Sequence, residues 1–210
     1  MLIWVAALHC EAKPIIDHYR LKKSSSHHAF DVYQAGNILC IISGIGKTAM
    51  AAGTAWIAGL NRHKGPMAWI NIGTAGSAKH PLGTALLIDK ISDNESNRHS
   101  SPLPLFNSGL QLAHCQTLNY PSTEYHPQQI YDMEASAFFE TATRFSSAEL
   151  VHCLKVISDT PSQQIGRDKA RISELINRHI AQLAGFAKLL EDLNQQVAVK
   201  DSELKPHPQQ

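Results

Sequence analysis

Three acidic side chains follow or open apolar segments of the sequence, and together they could do acid–base chemistry. Glu11 follows the apolar run at 2–8, Glu134 lies in the segment DMEASAF, and Asp159 follows the run LVHCLKVIS. Positioned carboxyl groups are common general acids and bases in enzymes. If the apolar runs are parallel strands, their carboxyl ends meet at one sheet edge, where α/β sheets bind ligands. The pattern therefore predicts a pocket for a small polar ligand.

The segment ISGIGKT at 42–48 ends in GKT, as the sequence pattern of a phosphate-binding loop does. The full pattern, GxxxxGK[ST], requires a glycine at position 41, because backbone N–H groups of the whole loop surround the phosphates. Position 41 is Ile41. The segment is therefore interpreted as a glycine turn between a strand and a helix.

Composition excludes several classes of protein. The chain has 210 residues, enough for one large domain, and its net charge of +1 provides no basic surface for nucleic acid or an anionic membrane. The apolar run near the start is far shorter than the ~20 residues of a membrane span, so we expect a cytoplasmic protein. The four cysteines lack CxxC spacing and the histidines form no metal-binding pair. We expect buried free thiols, no metal and no cofactor.

Apolar runs alternate with amphipathic segments, which predicts an α/β sheet with helices on both faces. The predicted strands are 2–8, 30–36, 38–43, 67–73, 83–92 and 150–158, with a hairpin turn at 36–37. The predicted helices are 10–20, 46–63, 132–145 and one long helix over 168–196. Residues 92–131 are predicted to form a long polar loop. Residues 1–195 form the predicted domain, and the polar segment 196–210 is predicted to be a disordered tail.

Four motifs of the sequence resemble those of a known family. SGIGKTAM, NIGTAGSA, DMEASAF and KVISDTP occur in this order, after an acidic residue that follows the first apolar run. They resemble the nucleoside phosphorylase and nucleosidase superfamily, and most closely the 5′-methylthioadenosine/S-adenosylhomocysteine nucleosidases. The resemblance covers roughly 1–91 and 130–190. It implies a single-domain, three-layer α/β fold, with a mixed, partly barrel-like central sheet flanked by helices, and a homodimer.

The resemblance also implies a reaction, hydrolysis of the N-glycosidic bond of a purine nucleoside through an oxocarbenium-like sugar. Asp159 would protonate the departing base, and Glu11 would activate the attacking water. Glu134 would bind the ribose hydroxyls, and Met133 would pack against the sugar. The same resemblance places four small residues in the pocket for the purine and the nucleophile: Thr74, Ala75, Gly76 and Ser158.

Structural interpretations of the same residues stay open. Asp159 could cap a following helix, because aspartate is a preferred N-cap residue. Glu134 could be a first-turn acid that the helix dipole favours, and Glu11 could be a solvated acid at a helix start. Met133 could be ordinary core, since methionine fills gaps in any apolar interior.

The sequence also departs from the family. The interval 92–131 is shorter than in the family, so Tyr120 or Tyr125 would have to supply the ring that stacks on the base. Lys155 stands where the family tends to have arginine, which is not a conservative exchange at a bidentate site. Two alternatives to hydrolysis therefore stay open, a phosphate-dependent phosphorylase and a non-catalytic nucleoside-binding sensor. No arginine lies near Glu11 or GTAGSA, which favours water over phosphate as the nucleophile.

Overall fold

The computed structural model describes residues 1–25, 29–166 and 168–203, and side chains as far as residue 199. In chain order the elements are β1 (Leu2–Ala6), α1 (His9–His18), β2 (Lys22–Lys23), β3 (Asp31–Ala35), β4 (Ile38–Ile42), α2 (Lys47–Asn61), β5 (Ala68–Ser77), β6 (Ala85–Asp93), β7 (His99–Ser100), β8 (Gln111–Thr117), β9 (Ile130–Asp132), α3 (Ala135–Ala142), β10 (Val151–Thr160), β11 (Gln163–Gln164), α4 (Lys169–Asn177) and α5 (Ile180–Glu203). Short 3₁₀ turns lie at Arg62–Lys64 and Ala148–Leu150.

Five strands of the sheet close into a barrel. The strand order runs β10, β6, β8, β9, β5, and β5 also pairs with β10, which completes the circle. Strands β1, β4, β3 and β2 extend the sheet outward from β5. The pairing is parallel between β1 and β5 and antiparallel between β10 and β6, so the sheet is mixed. The expected mixed, partly barrel-like sheet is confirmed.

Helices cover the sheet on both faces, as the alternating pattern predicts. One apolar cluster joins α2 and α3 to the sheet through residues such as Ile57, Phe138 and Val5. The other joins α1, α4 and α5 through residues such as Ile15 and Phe186. Because side chains of a strand point alternately to the two faces, one strand contributes to both clusters. The result is three layers, helices, sheet and helices.

Four neighbouring parallel strands align the segments that carry the motifs. The order across the sheet is β4, β1, β5, β10, and each adjacent pair is parallel. Their carboxyl ends therefore lie at the same edge. The turn at 43–46, the start of α1, the end of β5 and the end of β10 follow one another along that edge.

The interval 92–131 contains strands that the sequence analysis does not predict. Strand β8 pairs in parallel with β6 and β9 and so belongs to the barrel. Its buried residues, Ala113, Cys115 and Thr117, alternate with polar His114 and Gln116. The segment therefore reads as polar in sequence, although every second side chain lies in the core.

Two predicted boundaries also differ from the structure. The predicted terminal helix is two helices, with a break at Arg178 and His179. At this break His179 Nε2 forms a hydrogen bond of 2.6 Å with the Gly83 carbonyl oxygen. Helix α5 continues to Glu203, so residues 196–203 are helical rather than part of a tail. The rest of that predicted tail, 204–210, lies outside the described residues.

All four cysteines are free and buried, as expected from their spacing. In the described part of the chain, no helix has both the length and the apolar character needed to cross a bilayer.

Candidate active site

Glu11 is held rigidly at the start of α1. The side chain is 4% exposed and folds back over its own helix end, where Oε2 accepts a hydrogen bond from Leu8 N at 3.0 Å. Its Oε1 accepts two more from Thr74, from the backbone N at 2.9 Å and from Oγ1 at 3.0 Å. The alternative interpretation of Glu11 as a solvated acid is therefore contradicted. Three donors from two elements fix this carboxylate at the carboxyl ends of β1 and β5.

The glycine turn of ISGIGKT contacts Glu134. Gly46 has φ +92°, a conformation that favours glycine, and its N–H donates to Glu134 Oε1 at 2.7 Å. Burial raises the pKa of Glu134 to about 7, and the charge of Asp132 adds to the rise. Lys47 turns to Asp93, with 2.9 Å between Nζ and Oδ2. The turn therefore presents a backbone donor to a carboxyl group, while its lysine is neutralised by another acid.

A buried ion pair lies beside these acids. Lys155 Nζ is 2.8 Å from Asp132 Oδ2, and both side chains are essentially inaccessible to solvent. Asp132 also accepts hydrogen bonds from Thr117 Oγ1 and Ala135 N, both at 2.8 Å. Burial alone would lower the pKa of Lys155, but the charges of Asp132 and Glu134 outweigh it and raise that pKa. Burial would raise the pKa of Asp132, and the Lys155 ammonium lowers it.

A β-bulge sets the position of Asp159. The register between β10 and β5 shifts at Ser158, so Asp159 lies opposite Gly76 rather than opposite Ser77. Its Oδ1 accepts hydrogen bonds from Ile165 N at 3.0 Å and from Gly166 N at 3.3 Å. Ser158 Oγ donates to Oδ2 at 2.5 Å.

The structure contradicts the interpretation of Asp159 as a helix cap. β10 continues to Thr160 and is followed by β11, and the next helix, α4, has Asp168 as its N-cap. Asp168 accepts from Arg171 N at 3.0 Å, which is the capping hydrogen bond. Asp159 instead organises the loop that connects β10 to α4.

Tyr125 lies directly on Gly76. A Cβ at position 76 would lie 2.4 Å from the Tyr125 ring, so only glycine permits this approach. Gly76 is paired with Asp159, so the ring lies beside that residue. Burial raises the pKa of Tyr125, and the Asp159 charge adds to the rise. Tyr120, the other candidate for base stacking, is 79% exposed. The structure thus brings only Tyr125 next to the proposed acid.

The other predicted site residues lie on the same edge. Ala75 and Ser158 are buried, 3% exposed each, and Met133 is half-buried beside Glu134. Strand β5 continues to Ser77, past the end at 73 that the sequence predicts. The Lys155 to Asp132 pair is the feature that sequence reasoning missed, because its partners are separated along the chain and lie on β10 and β9. A buried lysine amid the apolar residues of LVHCLKVIS is the one sequence signal for it.

The sequence itself matches no protein-family model and no curated protein. Its structure resembles solved structures of nucleosidases closely. A 5′-methylthioadenosine nucleosidase from Arabidopsis thaliana is 15% identical, with a TM-score of 0.69 over 92% of this chain and 95% of that chain. The chain has the nucleosidase fold.

Two further structures illustrate the range of activities on this fold. The 5′-methylthioadenosine/S-adenosylhomocysteine nucleosidase from S. pneumoniae, solved with the transition-state inhibitor MT-ImmA, is 17% identical, with a TM-score of 0.66 over 90% of this chain and 99% of that chain. The futalosine hydrolase of Helicobacter pylori is 12% identical, with the same TM-score over 89% and 97% of the two chains. The resemblance found in the motifs is thus confirmed at the level of the fold.

The buried ion pair yields a prediction about stability. Lys155→Met leaves the Asp132 carboxylate without its counter-ion, so we expect the free energy of unfolding to fall by about 3–5 kcal/mol. Adding Asp132→Asn to Lys155→Met removes the uncompensated charge and keeps the side-chain acceptor, so the double variant should recover most of the loss. Urea unfolding of the three proteins measures both effects. Equal losses in the single and double variants would contradict the account.

Proposed function

We propose that this protein hydrolyses the N-glycosidic bond of a purine nucleoside, such as 5′-methylthioadenosine or S-adenosylhomocysteine. The observation that carries the proposal is that Glu11, which follows β1, and Asp159, near the end of β10, lie at one edge of a nucleosidase fold, because both strands pair in parallel with β5. Cleavage of this bond needs a nucleophile on one side of the sugar and a proton donor on the base. Two carboxyl groups at one edge can supply both.

Glu11 is the proposed base that activates water. Its three hydrogen bonds fix its orientation, and the nucleophile would lie between it and the anomeric carbon. Thr74, which donates twice to Glu11, sets this geometry. A fixed carboxylate acts as a base without reorganising, which lowers the barrier.

Asp159 is the proposed acid that protonates the leaving purine. The bulge at Ser158 places it opposite Gly76, whose missing side chain lets the Tyr125 ring lie on this part of β5. Ala75, Gly76 and Ser158 would line the base, with Tyr125 against its face. Base–aromatic stacking would add to binding without demanding a particular base.

Glu134 and Met133 are proposed to hold the ribose. An ionised Glu134 would accept hydrogen bonds from the ribose hydroxyls, as it does from Gly46 N. Met133, half-buried next to it, would supply an apolar surface for the sugar. Water is proposed as the nucleophile because no arginine lies near Glu11 or GTAGSA. The cytoplasmic location expected from the sequence stays a prediction.

Substitution of the two carboxyl groups tests the mechanism. Asp159→Asn keeps the size of the side chain but removes the transferable proton, so turnover should fall on the order of a hundredfold or more with little change in nucleoside affinity. Glu11→Gln should abolish hydrolysis, because the attacking water loses its base. Release of free base from a nucleoside panel, with and without phosphate, is the measurement.

Asp168→Asn is the matched control. Asp168 caps α4 and asparagine caps a helix equally well, so this variant should keep wild-type turnover. A fully active Asp159→Asn variant would refute the assigned acid. Base release that requires phosphate would show a phosphorylase instead, and binding without turnover would show a sensor.

The raised pKa of Glu134 predicts a pH dependence of nucleoside binding. Because the folded-state pKa is about 7, the carboxyl is mostly protonated below that pH and mostly ionised above it. The ionised form accepts more strongly from the ribose hydroxyls, through both oxygens, so affinity should rise severalfold as pH increases from about 5.5 to 8.5, with a midpoint near 7. Calorimetric titration at several pH values measures this.

Glu134→Gln should bind more weakly and lose the pH dependence, because its amide does not titrate. The neighbouring Asp132 and Lys155 stay charged across this range, since their pKa values move away from it in opposite directions. The same pH profile in wild type and Glu134→Gln would assign the titration to another group.

The outer face of α2 supports the expected homodimer. Its exposed positions are small, Thr48, Ala52, Ala55 and Gly59, and Leu60 near its end is 41% exposed. A second copy could approach such a face closely and bury it.

Light scattering at micromolar concentration should give about twice 23.1 kDa for wild type. Ala55→Arg should shift the mass to one chain, whereas Leu189→Arg on exposed α5 should not; a monomeric wild type would reject the dimer.

A further inference from the structure

Asp93, the last residue of β6, contacts the first residues of two helices. Its Oδ2 accepts a hydrogen bond from Lys47 Nζ at 2.9 Å and another from Ser136 Oγ at 2.8 Å. Lys47 begins α2, and Ser136 is the second residue of α3. The Asp93 side chain is buried, so water competes little for these contacts. One carboxylate oxygen therefore joins the starts of both helices.

The other oxygen of Asp93 has a separate role. Oδ1 accepts hydrogen bonds from Glu95 N at 3.1 Å, from Ser96 N at 2.9 Å and from Ser96 Oγ at 3.0 Å. These bonds organise the turn between β6 and β7. Burial alone would raise the pKa of Asp93, but the hydrogen bonds from Ser96, Lys47 and Ser136 outweigh it and lower that pKa. Asp93 is therefore ionised at neutral pH and accepts with both oxygens.

The same two helix starts carry the hydrogen bond that orients Glu134. Gly46 directly precedes Lys47, and Glu134 lies two residues before Ser136; each is the N-cap residue of its helix. Gly46 N donates to Glu134 Oε1 at 2.7 Å. Because Asp93 holds a close neighbour of both residues, it sets the distance between the donor and the acceptor of this bond.

A second chain of hydrogen bonds runs from Ser136 to the buried ion pair. Ser136 N donates to Thr117 Oγ1 at 3.0 Å, and Thr117 Oγ1 donates to Asp132 Oδ1 at 2.8 Å. Asp132 in turn is paired with Lys155. The start of α3 is thus held through Asp132, and Asp93 links the start of α2 to it.

We infer that Asp93 is a positioning residue for ribose binding, because it fixes the Gly46 donor against Glu134. The inference rests on the proposed function, in which Glu134 binds the ribose hydroxyls. A carboxylate that is held by a fixed donor through one oxygen presents the other oxygen in a fixed direction, so the ribose meets a preformed acceptor. Loss of the Asp93 contact to either helix start would free Glu134 from this donor.

The titration of Glu134 in the unliganded protein reports this hydrogen bond. Burial raises the pKa of Glu134 to about 7, and the Gly46 hydrogen bond opposes the rise. Losing the bond should therefore raise the pKa further. The charges that act on Glu134 are those of Asp132, Lys155 and Glu11, and the variants below leave them in place. Carbon-13 NMR of the side-chain carboxyl measures the midpoint, with the signal identified by its absence in Glu134→Gln.

Asp93→Asn breaks the link while keeping the shape of the side chain. Its one oxygen can still accept from the N–H groups of the turn, but its amide nitrogen cannot accept from Lys47 and Ser136. The midpoint of the Glu134 titration should rise by about one pH unit, the scale of a lost hydrogen bond to a charged group. Lys47→Met breaks the link from the other side and should also raise it.

The direction of the two shifts separates positioning from a direct effect of charge. Asp93→Asn leaves Lys47 as an unpaired cation, whose charge alone would lower the pKa of Glu134. Lys47→Met leaves an unpaired carboxylate, whose charge alone would raise it. Upward shifts in both variants therefore support the inference. Opposite shifts, or none in Asp93→Asn, would overturn it.

Two controls match these variants. Lys47→Arg keeps a cation that can donate to Asp93, so it should restore most of the wild-type midpoint. Glu95→Gln removes the second, exposed partner of Lys47, 3.5 Å away, and changes the net charge as Asp93→Asn does. It should leave the midpoint unchanged. Urea unfolding checks that each variant is folded, and Lys47→Met, at a partly exposed position, keeps the test available if Asp93→Asn does not fold.

Nucleoside binding separates this inference from the proposed function. In calorimetric titrations with 5′-methylthioadenosine, Asp93→Asn and Lys47→Met should bind severalfold more weakly at about pH 7, and the loss should be smaller at about pH 9, where Glu134 is mostly ionised in all three proteins. Raised midpoints without any binding by wild type would keep the link from Asp93 to Glu134 and overturn the proposed function. Hydrolysis by wild type with unshifted midpoints, or with unchanged affinity in both variants, would overturn the positioning role and leave the function standing.

Discussion

The candidate site depends on a single buried cation. Lys155 is 1% exposed and forms an ion pair with Asp132, and the charges of Glu11 and Glu134 lie in the same neighbourhood. Burying a charge is costly unless it is paired and hydrogen-bonded, and removing one partner leaves the other uncompensated. Gly73 leaves space for this arrangement, because a Cβ at that position would lie 3.2 Å from Lys155 Nζ and 3.4 Å from Glu11 Oε1. The missing side chain lets the ammonium and the carboxylate approach the same point of the backbone.

The single Lys155 ammonium cannot neutralise the carboxylates of Glu11, Asp132 and Glu134 together, and Glu134 is the group whose pKa rises as a result. Asp132 takes the direct contact with Lys155 and the hydrogen bonds of Thr117 and Ala135. Glu134 has Gly46 N as its donor and feels the charge of Asp132, so its pKa rises to about 7. The raised pKa means that the ionised form of Glu134 is destabilised in the unliganded site. Ribose hydroxyls would stabilise the carboxylate by donating hydrogen bonds to it, which links the electrostatics of the site to its proposed ligand.

The sequence predicts the parts of this arrangement that follow from local pattern, and it misses those that depend on pairing at long range. Strand β1, the hairpin around Gly36 and helix α2 are read from apolar runs and turn residues, and the structure confirms them. Strand β8 is missed because half of its residues are polar and its partners, β6 and β9, lie elsewhere in the chain. The order of the motifs suggests that Glu11 and Asp159 belong to one site, but it is the pairing of the strands that brings them to one edge. The bulge at Ser158, which sets the register of Asp159, cannot be predicted from the sequence KVISDTP.

The short connection between β8 and β9 has a consequence for how a base could enter the site. Residues 118–129 link these two strands, and this loop lays the Tyr125 ring on the backbone of Gly76, opposite Asp159. Glycine at 76 is thus required by the protein's own aromatic ring, independently of any ligand. A purine that reaches Asp159 has to lie against this ring or displace it, because both need the same surface of β5. The Tyr131 ring, 5.5 Å from that of Tyr125, supports the loop from behind. Under the proposed function, binding of the base is therefore coupled to the position of this one loop.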